Sequence, residues 1–152
     1  MGGVGYVERL RVPPWWWLMF ILFVLSLAVA VFAYLPAAVA GAITAALGGG
    51  AALLLIGYGR LELRVTPEAF TAGPNRLEGR WIADAEPLVG ESARLALGPA
   101  ADHRDFLHTR PYIPGAVRVR LADPVDPHPC WIVSSRRPEE LAKAILEMKA
   151  VR

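Results

Sequence analysis

The longest apolar run in the chain extends from Val12 to Gly59, and no Asp, Glu, Lys, Arg or His interrupts it. The hydrocarbon core of a bilayer is about 30 Å thick and takes roughly 20 helical residues to cross. A block of 48 residues is too long for one comfortable span and suits two. Leu35-Pro36 is the natural break, because proline ends the helix before it and is accepted in the first turn of the next. The pattern therefore predicts a transmembrane helical hairpin over 15–58, with helices at 15–35 and 36–58. Twelve Leu, Ile, Val or Phe residues between Leu18 and Leu35 favour insertion by roughly 4–7 kcal/mol, at a few tenths each. The first segment exceeds the usual apolar region of a signal peptide, about 7–15 residues, and a second apolar segment follows at once. Both points argue against cleavage.

The edges of the block carry their own signals. Trp15, Trp16 and Trp17 stand where the chain would enter the bilayer, and indole rings favour that boundary, the ring in the apolar zone and the N–H near water. Pro13 and Pro14 open the helix without stranding backbone donors. Tyr58 is a smaller anchor at the exit. In the second helix Ala37, Gly41, Ala45 and Gly49 recur every four positions, as do Ala38, Ala42, Ala46 and Gly50. Small residues on one face let helices approach closely in lipid. Gly41, Ala45 and Gly49 are expected to pack on the first helix or, alternatively, on another subunit.

Beyond Gly59 the period changes to two. In "RLELRVT" Leu61, Leu63 and Val65 alternate with Arg60, Glu62 and Arg64, the mark of a strand with one buried face. Phe70–Ala72 and Arg76–Glu78 flank a "GPN" turn and form a hairpin, and Trp81–Glu86 is a further strand. In "AVRVRLA" Val117, Val119 and Leu121 point inward and Arg118 and Arg120 outward; "CWIVSS" returns after a proline-rich loop. The chain closes on a helix at 138–150, with Pro138, Glu139 and Glu140 in its first turn and an apolar stripe of Leu141, Ala144, Ile145 and Met148. The expected class is membrane α+β: a cytoplasmic amphipathic arm (1–14), the hairpin (15–58), and an antiparallel β-rich domain over 60–152 with a C-terminal helix. The order of its elements resembles the pleckstrin-homology-like half-barrel.

Charge refines this picture. The net charge of +2 comes without a concentrated basic surface, which excludes nucleic acid as a partner. Arg9 and Arg11 precede the hairpin, Arg60 and Arg64 follow it, and its turn is uncharged. Positive charge stays inside, so both termini are expected in the cytoplasm, below the inner membrane. A single cysteine, Cys130, rules out an intramolecular disulfide and suits a reducing compartment. The membrane-interface set is Trp15, Trp16, Trp17, Arg9, Arg11, Tyr58 and Arg60. Arg118, Arg120, Arg136 and Arg137 converge if the last two strands pair. They are then candidates for contact with lipid headgroups or an acidic protein, although an alternating arginine row is most often a solvated sheet face.

Catalytic signals are absent. "DHRDFLH" (102–108) gathers Asp102, His103, Asp105 and His108, but histidines five apart do not share a helical face and no second cluster completes a metal site. Ser134 and Ser135 precede a helix, where turn roles prevail. No phosphate loop, dinucleotide fingerprint or nucleophile elbow occurs. No ionisable group lies in the spans to carry ions or protons. No catalytic residue, metal or cofactor is assigned.

The landmarks "YVERLRVPPWWW" (6–17), "LGP" (97–99), "RPYIPGAVRVRLADPVDP" (110–127) and "WIVSSRRPEELAKAI" (131–145) resemble one family over nearly the whole chain. It is the set of short actinobacterial membrane proteins catalogued as domain-of-unknown-function family 3093. The double proline before the tryptophans and Tyr112 in place of a tryptophan depart from its usual pattern. The resemblance implies a two-span membrane protein and supplies no site residues. The expected role is non-enzymatic: a domain tethered at the membrane surface that binds a protein partner or lipid headgroups. The alternatives are an accessory subunit of a larger membrane complex and, third, a membrane-anchored enzyme built on "DHRDFLH".

Overall fold

A computed structural model describes residues 5–150; the outermost positions of the expected arm and C-terminal domain, 1–4 and 151–152, lie outside the described residues. The chain forms two units, one running from Arg11 to Arg60 and one joining the N-terminal segment through Leu10 to the chain from Leu61 onward.

The first unit is a helical hairpin, α1 (Pro14–Tyr34) and α2 (Ala37–Gly59). Both helices are long and apolar enough to cross a bilayer. Only Leu35 and Pro36 link them. Leu35 is extended at φ −121°, ψ 153°, the conformation a following proline imposes. The Pro36 carbonyl accepts the Ala40 N–H at 2.9 Å and so starts α2. α1 turns Trp16, Phe20, Val24 and Val31 toward the seam, where none is more than half exposed. α2 answers with Ala40, Thr44, Gly48 and Gly59. A Cβ at Gly48 would lie 3.3 Å from Val24 Cγ1, and one at Gly59 would lie 2.6 Å from Val12 Cγ2. The seam is therefore one residue away from the row expected. Gly41 and Gly49 have nothing within 4 Å of an added Cβ, and Ala45 is exposed, so these three do not pack on α1. α2 is so rich in small residues that three parallel rows offer equal access. The bulk of Val12 and Val24 selects among them.

The second unit opens with a surprise. Residues 6–10, expected within a solvated arm, form β1 (Tyr6–Leu10). β1 pairs antiparallel with β2 (Leu61–Val65), Leu10 opposite Leu61 and Tyr6 opposite Val65. The helical hairpin is thus an insertion between two adjacent strands of one sheet. β3 (Ala69–Ala72) and β4 (Asn75–Glu78) complete the order β1-β2-β3-β4. Their turn uses Gly73 at φ +60°, a region that side chains disfavour. A 3-10 turn at Gly79–Trp81 then leads into a second sheet, so the next strand begins one residue after Trp81.

The second sheet contains β5 (Ile82–Leu88), β6 (Phe106–His108), β7 (Ala116–Leu121) and β8 (Cys130–Ser134) in the order β5-β7-β8-β6. It is not wholly antiparallel as expected, because β6 runs parallel to β8. The chain from β5 passes through a short helix, α3 (Glu91–Leu97), before β6, and it is this long connection that allows a parallel return. α4 (Pro138–Ala150) closes the chain. The main core gathers Leu10, Leu63, Phe70, Val119 and Val133 with Leu141, Ile145 and Met148 of α4. On the opposite face of the second sheet α3 covers a smaller cluster of Leu88, Ala116 and Ile132 with its own Ala93 and Ala96. Burial on both faces explains why "WIV" in β8 is continuously apolar.

The seam makes a prediction. Gly48→Leu should overpack against Val24 and lower stability by about 1–3 kcal/mol, whereas Gly49→Leu should be nearly silent. Tryptophan-monitored thermal unfolding in detergent measures both, and a larger loss from Gly49→Leu would contradict this register.

Candidate functional site

Charge buried in the second unit is concentrated at one point, Glu8 on β1, only 5% exposed. It occupies an inward position of the strand because Tyr6, Glu8 and Leu10 share a face. Its Oε2 accepts from Tyr6 Oη at 2.7 Å and from Ser135 Oγ at 2.6 Å, and its Oε1 accepts from the Arg136 backbone N–H at 2.8 Å. Ser135 is wholly buried, and its Oγ also accepts the Arg137 N–H at 3.0 Å. The Arg137 guanidinium lies over the Tyr6 ring, 5.2 Å from its centroid, and pairs with Glu140 at 3.0 Å. Burial, then the hydrogen bond to Glu8, pushes the Tyr6 phenol up to about 12. The neighbouring Ser134 is also wholly buried and accepts the Arg110 N–H at 2.8 Å. Three donors satisfy the carboxylate. This cluster holds β1 to the β8–α4 junction and does not resemble a reaction centre.

This clamp is not legible in the sequence. An acidic residue at an inward strand position breaks the apolar alternation that marks a strand. The visible hint is "SSRRPEE", where serines before a helix point to a capping or turn role.

The four candidate arginines occupy two places. β7 and β8 do pair, but Arg118 stands opposite Ile132 and Arg120 opposite Cys130. On their other side they face Glu86 and Asp84 of β5, with Arg118 3.8 Å from Glu86. Arg136 and Arg137 lie past the end of β8, so the four do not converge as expected. Arg9 belongs to the first sheet, where its Nε donates to Glu62 at 2.9 Å. Arg64 binds the same carboxylate at 2.7 Å, and these two bonds, Arg64's first, hold Glu62 below the ordinary carboxylate range. Exposed pairs of this kind add little stability.

"DHRDFLH" also disperses. Asp102 is held by Arg104 at 3.1 Å, which lowers its carboxyl, while the His103 side chain is 93% exposed. His108 instead enters an aromatic cluster, stacked on Phe106 with 6.1 Å between ring centroids. Its buried Nε2 has no hydrogen-bond partner among the described residues, and burial followed by the Arg110 charge lowers its pKa. His128 Nδ1 lies 2.8 Å from the Arg104 carbonyl. Among the described residues no three His, Cys, Asp or Glu side chains form a metal-sized group. Burial raises the Cys130 thiol, with Asp105 adding to the effect, which keeps it from acting as a ready nucleophile.

In the helical unit Trp15, Trp16 and Tyr58 share the wall of one apolar groove, and Trp17 packs edge-on to Phe20 at 5.9 Å. Arg11 and Arg60 flank that end of the hairpin, both exposed.

A family model described as "Protein of unknown function (DUF3093)" matches residues 5–145. No curated protein and no solved structure matches the chain.

The clamp carries two expectations, both read by thermal unfolding of the full chain in detergent. Glu8→Ala strands three donors and should cost about 2–4 kcal/mol, with Glu8→Gln much milder. The Tyr6 phenol ionises later in the folded chain than in the unfolded one, so stability should fall as pH rises from 10 toward about 12. Tyr6→Phe should remove that slope; an unchanged slope would show that Tyr6 is not its source. At the acid end, neutral His108 should keep stability whole above its ordinary 6.5 and lose it as pH falls below that value. His108→Phe should flatten this limb.

Proposed function

The chain belongs to the DUF3093 family of proteins of unknown function, and we propose that it is a non-enzymatic, two-span membrane protein holding a cytoplasmic β-rich unit at the bilayer surface. There the unit binds a protein partner or lipid headgroups through surface arginines, Arg120, Arg136 and Arg137 among them. One observation carries this reading: the hairpin leaves its apolar side chains uncovered. Phe23 is 66% exposed, Val29 71%, Leu53 72% and Leu54 77%. Soluble monomers rarely present contiguous apolar surface on that scale. Helices of 21 and 23 residues are about 32 and 35 Å long, enough for a hydrocarbon core of about 30 Å.

The pairing of β1 with β2 supports a same-side arrangement of the two hairpin ends, because strands bonded to each other cannot lie on opposite sides of a bilayer. Arg11 and Arg60 beside those ends favour the cytoplasm as that side. Two covalent links to the hairpin restrict the β-rich unit to the surface and raise its effective concentration for anything else held there. Two four-stranded sheets ending in a buried helix favour a pleckstrin-homology-like half-barrel, with the parallel β6 as an addition. The solvent-excluded Glu8–Ser135 pair and the dispersal of "DHRDFLH" favour a binding role over an enzymatic one.

A second reading, an accessory subunit of a larger membrane complex, draws on the open row of Gly41, Ala45 and Gly49. Under it, Gly41→Leu with Gly49→Leu should abolish co-purification of the partner from native membranes without unfolding the hairpin. Co-purification that survives both substitutions would leave tethering alone.

Single cysteines in a Cys130→Ser background test the topology. A membrane-impermeant maleimide applied to intact cells should label Pro36→Cys in the hairpin turn and spare Val125→Cys, whose parent residue is 85% exposed. Labelling of Val125→Cys from outside would overturn the arrangement.

A further inference from the structure

We propose that the helical hairpin carries a site for one anionic glycerophospholipid, with an acyl chain in the groove between α1 and α2 and the phosphate at the arginines that flank its end. The inference rests on the membrane reading above and names a ligand within it.

The groove has a volume of about 740 Å³. Trp15, Met19 and Phe23, spaced by four, form one wall along α1, and Ala51, Leu55 and Tyr58 form the other along α2. Each set follows the repeat of a single helix face, so the groove runs along the helices. Trp15 to Phe23 is about 12 Å of helix, which reaches from the hairpin end most of the way through one leaflet of a core about 30 Å thick. Beyond Phe23 the helices close, with Val24 on Gly48. Ala51 is the small residue that leaves the depression open. The walls carry no charge, and their polar atoms are confined to the indole and phenol tips near the helix ends.

The two ends of this unit differ in charge. Arg11 and Arg60 are its only charged side chains, four residues before Trp15 and two after Tyr58 of the groove wall. The opposite end is the uncharged Leu35-Pro36 turn. An apolar channel leading from a doubly cationic end into the bilayer interior matches a molecule with an anionic head and a long apolar tail. A zwitterionic lipid offers the same phosphate but brings a quaternary ammonium beside the arginines, which repel it.

The test uses the full chain. Alkaline carbonate extraction of membranes comes first. Protein that stays in the membrane fraction upholds the membrane reading, and protein that is released removes both that reading and the lipid site. The retained protein, purified in detergent, is then exposed to phosphatidylglycerol or phosphatidylcholine and weighed by native mass spectrometry. One phosphatidylglycerol per chain should be retained in preference to phosphatidylcholine. Arg60→Gln should weaken that preference about fivefold. Ala51→Phe fills the groove and should reduce retention to background. Met19→Trp, at a half-exposed position of the other wall, does the same with less risk to folding. Leu53→Phe, outside the groove, should change nothing. Equal retention of both lipids, or retention indifferent to Met19→Trp and Ala51→Phe, would mean annular lipid only and would overturn the site while leaving the membrane reading intact.

Discussion

The pairing of Tyr6–Leu10 with Leu61–Val65 is the constraint on which the rest of the architecture depends. Five residues before the hairpin and five after it form adjacent strands of one sheet, so the apolar insert must leave and re-enter the β-rich unit at the same place. That requirement brings the start of α1 and the end of α2 to the same edge of the sheet before any argument from charge. It also makes the N-terminal segment part of a folded core, since Leu10 is fully buried beside Leu63, Phe70 and the residues of α4.

Two kinds of stabilisation meet at this point. The sheet and its helices are held by ordinary apolar burial, with Leu141, Ile145 and Met148 closing the core. The edge strand β1 has an additional attachment, the Glu8 carboxylate gripped by Tyr6, Ser135 and the Arg136 N–H. A buried carboxylate is costly unless its hydrogen bonds are complete, and here two of the three donors come from a part of the chain remote from β1. The arrangement admits one partner for β1 and penalises any slipped pairing that would leave the charge without donors. α4 adds protection at the other extreme of the structure, where Lys149 donates to the Ala83 carbonyl on the outer strand β5. That strand ends its sheet, and a charged side chain there discourages edge-to-edge association.

Much of this was legible in the sequence, and the exceptions have physical causes. The helices announce themselves because no charge interrupts 48 residues and proline marks the turn. β2, the β3–β4 hairpin, β7 and α4 follow from clean periods of two or 3.6, turn residues and a capped first turn. β1 stayed hidden because its inward set includes Glu8, and β6 because three residues are too few to show a period. The register between the helices was not legible either: α2 offers several equivalent rows of small residues, and the choice rests on the partner's bulk at Val12 and Val24. The arginine row shares a face with the smaller core cluster at Ala116, and the acids of β5 opposite it follow from a strand pairing that local patterns do not reveal.

The clamp also imposes an order on biogenesis. A ribosome makes Glu8 well before its serine partner, which lies 127 residues downstream. Once Leu61–Val65 has emerged β1 has its neighbour, yet until Ser135 and Arg136 follow, the carboxylate must remain hydrated. A product truncated before Ser135 would keep the strand pairing of β1 with β2 but leave the Glu8 carboxylate without its serine and Arg136 donors.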